Sequence, residues 1–132
     1  MVLSSKSHYL FDYGFLKKGE PYDYLLADAE YLGVCKTKER FGMFVTEYSF
    51  VLEDVNTTRI VGELYNVADY TLRLLDILMD HPKFCKRVEI AVLSTDAVES
   101  LAYIYFFQPK SIRGVNVKEI INGDLSFPVY AS

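Results

Sequence analysis

The first apolar pattern along the chain is an alternation. Tyr9, Phe11 and Tyr13 are separated by single residues, which is the period of a strand with one strongly apolar face. Residues 14–21 then contain glycine, lysine and proline and predict a loop. The chain is therefore expected to begin with a strand that ends at the glycine directly behind Tyr13.

The middle of the chain is rich in aromatic and β-branched residues. Residues 30–53 favour strands, with Gly33 and Gly42 as breakers. Residues 59–67 predict a further strand. Gly62 within that strand predicts a bulge or a close approach of another backbone segment.

One segment has helical periodicity. Its apolar positions are Leu72, Leu74, Leu75, Leu78 and Met79. Its polar stripe consists of Arg73, Asp76 and Asp80. Asp69 is a suitable N-cap, and the helix is expected to end at His81-Pro82.

Two further strands and an undecided tail follow the helix. Residues 84–93 and 100–108 predict the strands, whereas residues 117–121 fit either a short helix or an irregular end. The whole pattern predicts one α+β domain over residues 1–132. We expect a small mixed β-barrel of about five to seven strands, with one main helix and short flanking helices.

Composition narrows the classes of function. The 132 residues carry a net charge of −4, and the basic residues are scattered, which argues against nucleic acid as a partner. No apolar run is long enough to span a bilayer, and the first residues lack the apolar region of a signal peptide, so a cytoplasmic protein is expected. Cys35 and Cys85 are not closely spaced and predict free thiols. With only His8 and His81 beside them, no metal site is predicted.

The turn behind Tyr13 is the first candidate for chemistry. A glycine-bearing turn of this kind can direct several backbone N–H groups into one concave space, and such a space binds anions. A simple hairpin turn is the alternative interpretation of this segment alone.

The order of motifs along the chain resembles the gamma-glutamylcyclotransferase-like family, of the gamma-glutamylamine cyclotransferase type. The matching pieces are Tyr13-Gly14-Phe15-Leu16-Lys17-Lys18-Gly19, Ile60-Val61-Gly62-Glu63-Leu64-Tyr65, Leu75-Asp76 with Pro82 and Arg87, and Ala102-Tyr103-Ile104-Tyr105. The resemblance implies a small mixed barrel with flanking helices. It also implies enzymes that cyclise a gamma-glutamyl group to 5-oxoproline and release the attached amine, without a metal or an organic cofactor.

The resemblance further implies a site for a small anionic metabolite, a gamma-glutamyl compound. Tyr13, Gly14, Phe15 and Leu16 would form its floor, and the phenol of Tyr103 would reach it as a donor. In the reaction, the substrate's α-amine loses a proton and the leaving nitrogen gains one, and a single positioned carboxylate can do both.

Two residues depart from the family pattern. Phe15 stands where the family usually has a small hydroxyl residue after Tyr-Gly. The family's catalytic glutamate follows its Leu-Asp pair by three residues, and that position is Met79 here. A thioether cannot carry a proton, so the resemblance alone does not establish the reaction.

Three interpretations of the acid position follow. Met79 can be a core residue. Asp80 can stand in for the acid, because a carboxylate at a helix C-terminus has a raised pKa. Alternatively, Glu63 or Glu47 can enter the site. The function therefore stays open between a cyclotransferase and a catalytically inactive member that binds or sequesters a small anionic ligand or a protein partner.

Two further charged or polar positions are of interest. Arg87 is expected to form an ordinary surface ion pair with Asp76 or Asp80, which contributes little to stability. Cys85, beside Lys86 and Arg87, is a minor candidate for a nucleophile.

Overall fold

The computed structural model describes residues 7–14, 16, 23–45, 49–112 and 118–120. Its strands are β1 (Ser7–Asp12), β2 (Glu30–Thr37), β3 (Gly42–Val45), β4 (Ser49–Leu52), β5 (Val61–Ala68), β6 (Cys85–Ser94), β7 (Glu99–Phe107) and β8 (Lys118–Ile120). The α-helix α1 spans Asp69–Leu78, and short 3-10 helices span Asp23–Leu26 and Pro109–Ile112. Among these residues, no helix has the length and apolar character needed to cross a membrane.

Five strands close into a barrel in the order β1-β5-β2-β6-β7. Neighbouring strands are antiparallel except at the closure, where β1 runs parallel to β7 and Leu10 pairs with Tyr103. A separate three-stranded sheet has the order β4-β3-β8. The α+β class and the small mixed barrel with one main helix are therefore confirmed.

The alternation of side chains divides the apolar residues into two layers. Phe11, Leu64 and Ile104 belong to the cluster that fills the barrel. Leu10, Leu72 and Leu75 belong to a second cluster between the outside of the barrel and α1. The periodicity of the helix thus predicted its buried face, although Leu74 is 47% exposed and lies outside that face.

Two local predictions were wrong. Residues 118–120 form strand β8, and the short helix considered for this part of the tail is not formed. Asp69 is not the N-cap; Ala68 holds that position without a side-chain cap. The carboxylate of Asp69 instead lies 2.9 Å from both His8 Nε2 and Arg73 Nε. The sequence identified where the helix starts. It did not show that His8 and Arg73 bind the Asp69 carboxylate, which therefore does not cap the helix.

The prediction of a close backbone approach at Gly62 is confirmed. A Cβ atom at this position would lie 2.5 Å from the Asp12 carbonyl oxygen and 2.7 Å from the Phe11 ring. Glycine is therefore required for β1 and β5 to pack next to the turn that follows Tyr13.

We expect Gly62→Ala to destabilise the protein by about 2 kcal/mol or more, because backbone cannot move aside as a flexible side chain can. Chemical denaturation of the variant and the wild type measures the difference. A variant as stable as the wild type would contradict the close packing of these two strands.

Candidate functional site

The turn that follows β1 is held in place by the carboxylate of Asp12. Gly14 has φ 145°, in the region that favours glycine, and Leu16 is buried. The backbone N–H of Leu16 donates to Asp12 Oδ1 at 3.0 Å. The Leu16 amide is thus already engaged, and it is not an open donor of the expected anion-binding cup. Phe15, which was predicted to line the site, lies outside the described residues.

Tyr13 connects this turn to β7, the strand that neighbours β1 at the closure of the barrel. Its side chain is buried, and its hydroxyl donates to the carbonyl oxygen of Tyr105 at 2.8 Å. Burial raises the pKa of Tyr13 well above its ordinary value, and the charges of Cys85 and Asp12 add to this. The phenol therefore stays protonated and fixes the position of the turn.

The end of α1 determines the position of Asp80, which stands where the resemblance places a glycine after the acid. The N–H of Asp80 donates to the Ile77 carbonyl at 3.1 Å, and the N–H of His81 donates to the Asp76 carbonyl at 2.9 Å. These two bonds form a Schellman motif, in which the residue after the C-cap adopts a left-handed conformation. Asp80 occupies that position with φ 50° and is exposed.

The side chain of Met79 is buried in the core, whereas that of Asp80 is exposed. It is the C-cap of α1 and is only 6% exposed. It belongs to the buried cluster that also contains Leu16 and Cys85, and its carbonyl accepts the N–H of Cys85 at 3.2 Å. The position where the resemblance places the acid is therefore occupied by an apolar side chain in the core, beside the turn.

Glu63 lies on the outer face of the barrel. It is directly opposite Asp12 in the β1–β5 pairing, so both carboxylates are on the same face. Its Oε1 accepts a hydrogen bond from the Tyr65 hydroxyl at 2.9 Å. Glu63 is thus next to the turn, but its carboxylate already has a partner. Glu47, the other candidate, is not among the described residues.

The strongest polar cluster was underestimated from the sequence. Arg87 donates to both oxygens of Asp76, at 2.7 and 3.0 Å, and Tyr105 donates to Asp76 Oδ1 at 2.7 Å. The side chains of Arg87 and Asp76 are only 22% and 21% exposed. The expected pairing of Arg87 with Asp76 is confirmed, but its expected exposure is wrong, because the register of β6 and β7 places Arg87 opposite Tyr105 and below the helix.

The same cluster also includes a contact with the ring of Tyr103. The guanidinium carbon of Arg87 lies 4.5 Å from the centre of the Tyr103 ring, within cation–π distance. On its other side, the Tyr103 ring is 5.9 Å from the ring of His8. Tyr103 is thus packed between two cationic or polar groups, and its predicted contact with a ligand stays a prediction.

The electrostatics of the cluster fix its protonation. Burial alone would raise the pKa of Asp76, but the hydrogen bonds from Arg87 and Tyr105 outweigh it and hold the pKa below its usual value. Burial and the bond to Asp76 raise the pKa of Tyr105. Asp76 is therefore an ionised acceptor with three donors, which is an anchoring role and not that of a proton carrier.

Cys85 does not have the properties of a nucleophile. It is fully buried, and burial followed by the charge of Asp80 raises its pKa to about 12. A thiol must ionise to attack a substrate, so this one is inert at neutral pH. Within the described part of the chain, no group of three histidine, cysteine or carboxylate side chains could hold a metal ion.

Asp12 and the Asp76–Tyr105 bond were both missed from the sequence. Asp12 carried a local signal, because an aspartate before a glycine-bearing turn commonly accepts hydrogen bonds from the N–H groups of that turn. The bond between Asp76 and Tyr105 had no such signal, since it joins residues 29 positions apart.

We expect Asp76→Asn to lower the free energy of unfolding by about 2–3 kcal/mol at pH 7, because the amide cannot accept from three donors. The folded-state pKa of Asp76 is depressed, so its contribution is present above the unfolded value of about 4 and is lost as the pH falls through the folded value. Denaturation of both proteins from pH 7 to pH 2 measures this. The difference between them should shrink below about pH 4, while the matched change at exposed Asp28 should have little effect at any pH.

We expect Asp80→Gly to stabilise the protein by about 0.5–1 kcal/mol, because glycine adopts positive φ without a Cβ penalty. Asp80→Ala is the matched control: it also removes the carboxylate but keeps the Cβ, so it should be no more stable than the wild type. Urea denaturation of the three proteins decides the point. A loss of stability in the glycine variant would mean that the carboxylate itself contributes to folding.

Comparisons with known proteins agree on one family. A model of the family described as "Gamma-glutamyl cyclotransferase, AIG2-like" matches residues 10–125. Curated relatives from Methanocaldococcus jannaschii and Vibrio cholerae carry the name "putative gamma-glutamylcyclotransferase". The first is 36% identical over 103 residues, covering 75% of this chain and 83% of the relative. The second is 31% identical over 105 residues, covering 76% and 83%.

Solved structures share the fold. The crystal structure of an AIG2-like protein from Mus musculus has a TM-score of 0.73 at 22% identity, covering 92% of this chain and 91% of that chain. YkqA from Bacillus subtilis has a TM-score of 0.69 at 26% identity, covering 90% of this chain and 39% of that chain. Since the family model covers most of the chain, this protein belongs to the gamma-glutamyl cyclotransferase, AIG2-like family.

Proposed function

We propose that this chain keeps the family's small-molecule site for a gamma-glutamyl compound but does not cyclise it. The observation that carries the proposal is Met79, 6% exposed in an apolar cluster at the position of the family's acid. Cyclisation requires one group to take a proton from the α-amine and return it to the leaving nitrogen. A buried thioether can do neither.

The geometry of the nearest carboxylates supports the proposal. Asp80 follows the C-cap Met79 outside the helix, and the Schellman motif holds its backbone with the side chain exposed. Glu63 is bonded to Tyr65, and Asp76 already has three donors. Each would have to give up a hydrogen bond or a capping geometry before it could serve the reaction.

Support for retained binding comes from the turn. Gly14 keeps the positive φ that the Tyr-Gly motif provides, and Tyr13 is fixed by its bond to Tyr105. A gamma-glutamyl head group carries an α-carboxylate and an α-ammonium. The charge of Asp12 suits the ammonium, while the carboxylate needs a donor other than the Leu16 N–H, which Asp12 already accepts.

We expect purified wild-type protein to form no 5-oxoproline from gamma-glutamyl amines or dipeptides, as measured by mass spectrometry. At least one of these compounds should raise the melting temperature, because a ligand that binds only the folded state stabilises it by mass action. Met79→Glu should gain activity, since it restores a carboxylate whose pKa burial raises. Met79→Gln, of the same shape and without a titrating group, is the control and should stay inactive.

The outcomes separate the alternatives. If the wild type makes 5-oxoproline, the proposal is wrong, and loss of that activity in Glu63→Gln or Asp80→Asn identifies the acid. If no gamma-glutamyl compound changes the melting temperature, retained binding is wrong. Circular dichroism establishes whether Met79→Glu is folded, and the wild-type assay decides the question of catalysis even if it is not.

A further inference from the structure

A cavity of about 360 Å³ lies where β6 ends beside β2. The pairing of these strands extends over three residue pairs, with Cys35 opposite Ser94 at its end. The first half of β2 therefore continues past the end of β6 and leaves a notch in the barrel wall. The turn that connects β6 to β7 closes one side of this notch.

The floor of the notch is apolar with one cation. Lys36 is directly opposite Val61 in β5 and Leu93 in β6, so these three side chains form one row on the outer face. Val34 is two residues earlier in β2 and shares that face. All four residues line the cavity. An ammonium group is thus placed on an aliphatic surface contributed by three strands.

The wall of the notch is a turn that is held by the hydroxyl of Ser94. Ser94 Oγ accepts the N–H of Asp96 at 3.2 Å and the N–H of Val98 at 3.1 Å. The backbone N–H of Ala97 donates to the Ser94 carbonyl at 2.9 Å, which tightens the same turn. A hydroxyl has two lone pairs and one proton, so the Ser94 hydroxyl is left with only its proton to offer.

The charged group of the notch therefore selects an anion. Lys36 can only donate, whereas the Ser94 side chain is opposite Cys35 and so lies on the inner face, away from Lys36. Within the part of the chain that the structure describes, no carboxylate forms an ion pair with Lys36, whereas Lys38, directly after the end of β2, is 2.9 Å from Glu99. An anionic head group with an apolar tail complements this arrangement of charge and surface.

The thiol of Cys35, which lines the cavity, is not expected to react with a bound molecule. Cys35 lines the notch, but it is 4% exposed, and burial raises its pKa to about 12. The thiol stays neutral at physiological pH, so a molecule in the notch is bound and not captured covalently.

We propose that the notch between β2 and β6 is a binding site for a small aliphatic carboxylate. The carboxylate meets Lys36, and the tail lies on Val34, Val61 and Leu93 on the same outer face. A cavity of this volume falls within the range of small-molecule sites. The proposal goes beyond the gamma-glutamyl site and does not depend on it, because none of the residues around Tyr13 and Met79 lines the notch.

The test is a titration of the full chain with hexanoate, followed by two-dimensional amide NMR. We expect saturable shifts at Lys36 and at the turn residues 94–97. Lys36→Gln should weaken the binding at least tenfold, and hexanamide, which has the same tail without the charge, should bind at least tenfold more weakly than hexanoate. Lys86→Gln is the matched control, because Lys86 is an exposed lysine at the other end of β6.

Each remaining outcome counts against the proposal. Equal binding by wild type and Lys36→Gln, or by hexanoate and hexanamide, would show a non-specific apolar surface. Shifts that do not saturate, or that centre on Gly14 and Tyr105, would place hexanoate elsewhere. The amide spectrum of each variant in the absence of ligand establishes that it is folded, and failure of this test leaves the gamma-glutamyl proposal unchanged.

Discussion

The bond network around Asp76 is the constraint on which the rest of the site depends. Arg87 and Tyr105 face each other across β6 and β7, so one carboxylate on α1 holds both strands at once. The backbone of Tyr105 also accepts the hydroxyl of Tyr13. Helix, barrel wall and turn are therefore all bonded to a single residue, Tyr105.

The same network determines which groups remain for chemistry. Asp76 is ionised and bonded to Arg87 and Tyr105, so its carboxylate is not available to carry a proton. The Schellman motif then directs Met79 inward and Asp80 outward. The position where the resemblance places the acid thus carries an apolar side chain that is buried beside the cap, which fits the general rule that a fold can persist while its site changes.

The fold could be predicted from the sequence wherever a signal was local. The alternation at Tyr9, Phe11 and Tyr13, and the helical spacing of Leu72 and Leu75, each report which face is buried, and the barrel and helix follow from them. The polar site could be predicted only in part. The burial of Arg87 and its bond to Asp76 depend on strand register, which no short segment encodes. The residue that occupies the acid position was visible in the sequence, but its inward direction required the coordinates.

The pairing of Arg87 with Tyr105 also limits how the length of this hairpin can change during evolution. Their pairing is one of nine consecutive pairs between β6 and β7. If one residue were inserted into or deleted from either strand, the side chains of that strand beyond the altered position would point to the opposite face of the sheet. Length variation among descendants of this sequence should therefore concentrate in the turn at residues 95–98, where it leaves the anchoring of the helix intact.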